Sequence, residues 1–226
     1  MYSTATIAPG IFTIDEEGFV RSYLIEGTER AILFDACASG GEEFEKAVHS
    51  LTNKPITLVL SHSDQDHTGG QEYFAPSYLH PAEYARYFSH GNEGAKVQPI
   101  WEGQIFSLGG IDLEVVLIPG HTPGSIALLD RVGKRLFVGD TISNSSVYMF
   151  GDGRNIPAFI ESLKRLESLD LEYIHPAHGI NTLSADWVGK TIKAAEKLLA
   201  GELEATDPPY SVPCKLYSYE GVNFLF

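Results

Sequence analysis

His62, Asp64, Asp66 and His67 lie close together in the segment Ser61-His-Ser-Asp-Gln-Asp-His-Thr-Gly-Gly70. Imidazole suits zinc, iron and other borderline divalent metals, and carboxylates add harder oxygen ligands. At a turn, one such segment can offer ligands to two adjacent ions. A solvated acidic turn before a glycine-rich helix start would have the same composition. Three further segments weigh against that bland reading. Pro119-Gly-His121-Thr-Pro-Gly-Ser125, Gly139-Asp140-Thr141 and Pro176-Ala-His178-Gly179 each set a histidine or aspartate beside glycine.

Each of these segments follows a short apolar run that reads as a strand. The runs are Ile56–Leu60 before His62, Val115–Ile118 before His121, Leu136–Val138 before Asp140 and Tyr173-Ile174 before His178. Binding residues gather at such strand ends because the loops vary on a rigid base. Other strands are expected at Ile11–Ile14, Phe19–Glu26, Ala31–Phe34, Tyr78-Leu79, Ser125–Leu129 and Arg135–Val138. Gln104–Leu108 and Ile111–Ile118 flank Gly109-Gly110 and predict a hairpin.

Helical spacing of Phe44, Ala47, Val48 and Leu51 predicts a helix over 41–52. A short helix is expected over Pro81–Phe88. Another spans 156–169, with Ile156, Phe159, Ile160, Leu163 and Leu166 as its stripe and Pro157 in its first turn. Ser184 reads as the N-cap of a last helix that stops at Gly201. The tail from Tyr210 reads as a loop and one closing strand. Hairpins in both halves imply mixed sheets packed face to face, with helices on the outer faces. The expectation is an α/β (α+β) chain forming one domain over residues 1–226.

The chain has 226 residues, of which 43% are hydrophobic and 20% charged, which excludes a disordered or coiled-coil protein. Thirty acids against sixteen bases give a net charge of −14. That field repels phosphate backbones and anionic membranes, so neither is expected as a partner. The N-terminus lacks a basic region followed by an apolar one, and no apolar run approaches the ~18–20 residues of a membrane span. A cytoplasmic protein acting on a small molecule is expected, and oligomeric state is left open, a homo-oligomer included. Cys37 and Cys214 are too few for a disulfide framework.

The chain resembles the metallo-beta-lactamase superfamily. That family carries H-x-H-x-D-H-x-G-G, then a histidine in G-H-T-x-G-S, an aspartate after a strand and a histidine before glycine. His62 to Gly70, His121, Asp140 and His178 follow this order here. Ser22-Tyr-Leu-Ile25 and Leu33-Phe-Asp35 also resemble the family's opening strands. The resemblance spans roughly residues 10–180 and implies a four-layer αββα sandwich with two metal ions at one edge. It implies that His62, Asp64 and His121 hold one ion, and that Asp66, His67 and His178 hold the other. Asp140 and a hydroxide would bridge the pair, with Asp66 also orienting the hydroxide as the catalytic carboxylate. The implied activity is hydrolysis of a small-molecule ester, thioester or lactone by two divalent ions.

Position 64 departs from the family, which usually has histidine there. With Asp64 as a ligand, two divalent ions, three aspartates and a hydroxide sum to zero. A less positive site is a weaker Lewis acid and favours iron or manganese over zinc. Three readings of Asp64 stay open: a ligand in a di-iron or mixed site, a ligand in a dizinc hydrolase, or a side chain that does not reach. The first carries a rival function, a di-iron oxygen or nitric-oxide reductase core like that of flavodiiron proteins. A metal-binding module without catalysis is a third.

The remaining candidates have plainer readings. His49, His80 and His90 read as surface histidines, and His175 as a neighbour of the last motif. Asp35 could support a ligand imidazole or only the fold. Tyr148, Tyr210, Tyr217 and Tyr219 could line the substrate mouth or pack in the core, and Asp152 reads as a turn residue. No basic cluster suited to glutathione is visible, and substrate selection is assigned to residues 141–155 and the tail.

Overall fold

The structure, a computed structural model, describes residues 1–92 and 96–226. Its first sheet has seven strands in chain order: β1 (Tyr2–Ala8), β2 (Ile11–Glu16), β3 (Val20–Glu26), β4 (Ala31–Phe34), β5 (Ile56–Val59), β6 (Ser77–Leu79) and β7 (Val97–Pro99). The first four are antiparallel and the rest join in parallel, so the sheet is mixed. Helix α1 (Gly41–His49) forms the β4–β5 crossover. The segment after β6 opens with a 3-10 turn at Pro81–Glu83 and continues as α2 (Tyr84–Ser89).

The second sheet contains β8 (Ile105–Ser107), β9 (Asp112–Leu117), β10 (Ile126–Asp130), β11 (Arg135–Gly139), β13 (Tyr173–Pro176) and β14 (Leu183–Ser184). Its order is β14-β13-β11-β10-β9-β8. The β8–β9 hairpin forms around Gly109-Gly110 as the sequence requires. Helices α3 (Ile156–Glu167) and α4 (Asp186–Leu199) pack on this sheet's outer face.

Strand alternation builds the layers. In β4, Ile32 and Phe34 enter the core between the sheets, while Ala31 and Leu33 face the α1 layer. In β10, Ile126 and Leu128 face the first sheet, and Ala127 and Leu129 face α3 and α4. A strand covered on both faces reads as a continuous apolar run. The period-two division therefore appears only in which core each residue joins. All of the expected α3 stripe is buried, and Asn155 caps that helix by accepting from the Ala158 amide at 2.9 Å. The result is the α/β (α+β) four-layer αββα sandwich.

Two expectations need correction, and one strand lies outside them. The strand β1 carries no apolar alternation because most of it is an exposed edge, and pairing with β2 makes it a strand. Ser184 does not cap α4: it belongs to β14, and its hydroxyl bonds the Asp186 side chain. The tail supplies a hairpin, β16 (Leu216–Tyr219) and β17 (Val222–Leu225), rather than one strand. A third, four-stranded sheet results, in which β17 pairs in parallel with β12 (Ser146–Tyr148) and β16 pairs with β15 (Ala205–Thr206). Among the described residues, no helix is long and apolar enough to cross a membrane.

Candidate metal centre

The ends of β5, β9, β11 and β13 meet at one edge of the sandwich. The Ile126 amide of β10 donates to the Ser61 carbonyl at 2.9 Å, tying the second sheet to the loop after β5. From the first sheet, Arg21 and Tyr23 donate to the Gly179 and Pro176 carbonyls at 2.9 and 2.7 Å, which seats the His178 loop. The motif glycines allow the close approach. A Cβ on Gly69 would stand 2.0 Å from the Ala38 carbonyl oxygen. Gly139 has φ +52°, and a Cβ there would press on Ser61 at 2.6 Å.

This packing gathers all seven expected ligands into two groups. In the first, His62 Nε2 and His121 Nε2 are 3.2 Å apart, and Asp64 Oδ2 lies 3.4 and 3.5 Å from them. In the second, His67 Nε2 is 3.2 Å from Asp140 Oδ1 and 3.7 Å from Asp66 Oδ2. His178 Nε2 is 3.3 and 3.2 Å from the same two oxygens. Donors at about 2.0–2.2 Å from one tetrahedral ion stand about 3.3–3.6 Å from each other. Asp140 also turns Oδ2 toward the first group, 3.6 Å from His121 Nε2.

The opposite ring nitrogens fix the tautomers. His67 Nδ1 donates to Asp35 Oδ2 at 2.9 Å, His121 Nδ1 to the Tyr148 carbonyl at 2.9 Å and His178 Nδ1 to the Phe19 carbonyl at 2.6 Å. The Ser61 hydroxyl donates to Asp35 at 2.8 Å, so its oxygen accepts from His62 Nδ1 at 2.8 Å. Each ring in its neutral form therefore carries its proton on Nδ1 and turns the Nε2 lone pair to the centre. Among the described residues, His67 Nε2 and Asp140 Oδ1 are buried without a hydrogen-bond partner. Buried polar atoms are rarely orphaned, and a divalent ion at this spot satisfies both. The residues present fit two divalent ions.

The electrostatics are those of a cation site. Burial lowers His178, but the Asp140 and Asp66 carboxylates prevail and lift it to about 10. Burial likewise opposes protonation of His67, and Asp140, Asp66 and Asp35 raise it well above the usual histidine range. Burial would push the Asp140 carboxyl up, yet His178 and His67 hold it well below its ordinary value. His121 has weaker compensation, and burial takes it down to about 4.

Asp64 Oδ2 reaches the first group of donor atoms. It does not reach it alone. Arg86 donates to Oδ1 from Nη2 at 2.6 Å and Nε at 3.0 Å, and Arg154 Nη2 donates to Oδ2 at 2.6 Å. These two arginines are far apart in the chain, so no local basic run marks them. His90 also departs from expectation, lining the cleft with Nδ1 bonded to the Ser63 carbonyl at 3.2 Å. Asp35 supports the His67 imidazole. His49 is exposed, and His80 caps the turn at Ala82 and packs against Trp101, away from the centre. His175 is buried against Phe137 outside the site.

A cleft of about 840 Å³ opens onto both ligand groups. Phe19, Tyr148 and Tyr210 form apolar wall, and Arg86 and Arg154 form cationic wall. Tyr217 and Tyr219 pack against the core instead. The Asp152 carbonyl accepts from Arg86 Nη1 at 3.3 Å, so this turn leans on the same arginine.

The family model of the metallo-beta-lactamase superfamily matches residues 15–178. The acyl-coenzyme A thioesterase MBLAC2 of Gallus gallus is 27% identical over 217 residues, covering 76% of this chain and 78% of the relative. An atrochrysone carboxyl ACP thioesterase of Aspergillus terreus is 28% identical over 187 residues, covering 80% of this chain and 52% of the fungal protein. Among solved structures, a metallo-beta-lactamase from Pontibacter korlensis superposes with a TM-score of 0.72 at 18% identity, covering 87% of this chain and 99% of that one. TTHA1623 in a di-iron-bound form superposes with a TM-score of 0.63 at 28% identity, covering 78% and 96%. The chain belongs to the metallo-beta-lactamase superfamily and is a hydrolase of that fold.

Proposed function

We propose that the protein is a thioesterase in which each group of ligand atoms holds one divalent ion and Asp140 joins the two. The observation that carries this reading is the split of the Asp140 carboxylate. Its Oδ1 faces His67 and His178 at 3.2 and 3.3 Å, while Oδ2 faces His121 at 3.6 Å. His62, Asp64 and His121 hold one ion in this reading, and Asp66, His67 and His178 the other.

Bound divalent ions acidify water and polarise a carbonyl oxygen. The chain's own residues fix where that chemistry happens. Asp35, Ser61 and the Phe19 and Tyr148 carbonyls hold the ligand imidazoles by Nδ1. Asp66 lines the cleft beside the second group, and in this reading it is the carboxylate that would orient the attacking water. The aromatic wall suits the apolar part of an acyl substrate and limits the water around the scissile bond. The thioesterase names of two relatives support a thioester over an ester or lactone.

The test is metal analysis of protein purified without added metal, followed by thiol release from acyl thioesters. Close to two divalent ions per chain, with activity lost on chelation and restored by metal, is the expected result. Asp64 and the di-iron relative give specific ground for a second reading, an iron-loaded redox core. Two irons, oxygen consumption and no thiol release would establish that reading and overturn the first.

A further inference from the structure

The residues around Asp64 form a device of their own. Glu83, Arg86 and His90 stand at i, i+3 and i+7 along the segment that contains α2, which puts them on one face. All three grip Ser63-Asp64. Glu83 is fully buried, and its Oε2 accepts from the Ser63 amide at 3.0 Å and from the Ser63 hydroxyl at 2.5 Å. Its Oε1 accepts from the Gly124 amide at 2.6 Å, joining the His62 loop to the His121 loop. His90 bonds the Ser63 carbonyl. Arg86 occupies Asp64 Oδ1 with two N–H groups. Arg154, whose side chain is 8% exposed, holds Oδ2 and also donates to the His121 carbonyl.

We propose that Arg86 and Arg154 are positioning residues that make Asp64 a single-oxygen ligand. The proposal rests on the reading of Asp64 as a ligand to an ion. A free carboxylate can turn both oxygens to a cation, raising its coordination number and adding a full negative charge. Here Oδ1 is saturated by Arg86, and Oδ2 is pinned on the side of His62 and His121. Asp64 then offers one donor atom, as the family's histidine does. The two guanidiniums, at +2, more than offset the carboxylate. The site therefore does not lose its positive charge, and the bias toward iron or manganese implied by the carboxylate alone does not follow.

The experiment is a cycle of Arg86→Ala, Asp64→Asn and the double variant, read by chelator competition for zinc. Arg86→Ala is expected to weaken one of two bound zinc ions by about ten- to a hundredfold, the usual cost of losing a partner of a metal ligand. In the Asp64→Asn background, the same change should cost less than about threefold. An Arg86→Ala protein with wild-type zinc affinity overturns the proposal. So do additive losses, because the arginine would then act independently of Asp64. Unchanged zinc affinity in Asp64→Asn overturns the ligand reading itself. Arg86→Lys, which keeps charge but not the pair of donors on one oxygen, should recover only part of the loss. It replaces Arg86→Ala in the cycle if the alanine variant does not fold.

Discussion

Asp35 Oδ2 accepts the Nδ1 proton of His67 at 2.9 Å while both of its oxygens also bind Ser61, one through the amide at 2.7 Å and one through the hydroxyl at 2.8 Å. One buried carboxylate thus sets His67 directly and His62 through Ser61. Its backbone has φ +67°, a left-handed conformation that aspartate tolerates better than most residues. Asp35→Ala leaves three buried donors unpaired, at roughly 1–3 kcal/mol each. Denaturant unfolding of the metal-free protein should show a loss of about 3 kcal/mol or more, the low end for three such donors. Zinc affinity should fall by about ten- to a hundredfold at the second group. An Asp35→Ala protein that retains both stability and metal would contradict this account of the imidazoles.

Asp64 is more than a ligand candidate, because Arg154 is nearly buried and relies on it. Removing one partner of a buried pair leaves an uncompensated charge, at a cost of about 3–5 kcal/mol. Asp64→Ala should therefore destabilise the metal-free protein by that order. Arg86→Ala should cost less, since the Arg86 side chain is 30% exposed and its loss leaves Arg154 in place. Thermal or denaturant unfolding of the two variants, each stripped of metal, gives the comparison. Equal and small losses would mean that Arg154 finds other partners.

The reach of sequence reasoning follows from how local each signal is. His62 to His67 lie in one segment, and each remaining ligand follows an apolar strand beside glycine, so the ligand set has a local pattern. Arg86, Arg154 and His90 have none. Each is a single polar residue on a separate segment, and only the fold brings them to Asp64. Asp35 was ambiguous for the same reason, because an aspartate ending a strand looks alike whether or not an imidazole faces it. The four layers were legible because β4, β10 and the α3 stripe are apolar on the faces that must be covered. The exposed strand β1 carries no such stripe, and the third sheet pairs β12 with the distant β17. Neither leaves a periodic mark.

Gly139 tests whether the turn before Asp140 is as constrained as its geometry implies. Alanine there meets Ser61 and must hold φ +52°. The left-handed backbone alone costs about 1–2 kcal/mol. Ser61 must also shift, and it carries the bonds to Asp35 and His62. Gly139→Ala should therefore lose more zinc affinity than Gly18→Ala, where a Cβ meets nothing within 4 Å although φ is +73°. Similar affinities for the two proteins would show that the close approach to Ser61 is without consequence.

His175 gives the fold an acid-sensitive point apart from the ligand groups. It is 3% exposed and stacks on Phe137 with ring centroids 4.8 Å apart. Nδ1 bonds the Asn181 carbonyl at 3.0 Å, and Nε2 has no partner among the described residues. Burial depresses its pKa to about 4, below the ~6.5 of an unfolded histidine. Between these values the unfolded chain binds a proton that the folded chain refuses. The stabilisation is complete above pH ~6.5 and is lost as pH falls toward 4, reaching about 3 kcal/mol for this one group. Unfolding free energy of the metal-free protein should drop across that window with a slope of about one proton from this residue. His175→Phe keeps an aromatic ring on Phe137 and removes the titration. Its stability curve should be flatter than wild type by that one-proton slope between pH 6.5 and 4, and parallel curves would rule His175 out as the group responsible.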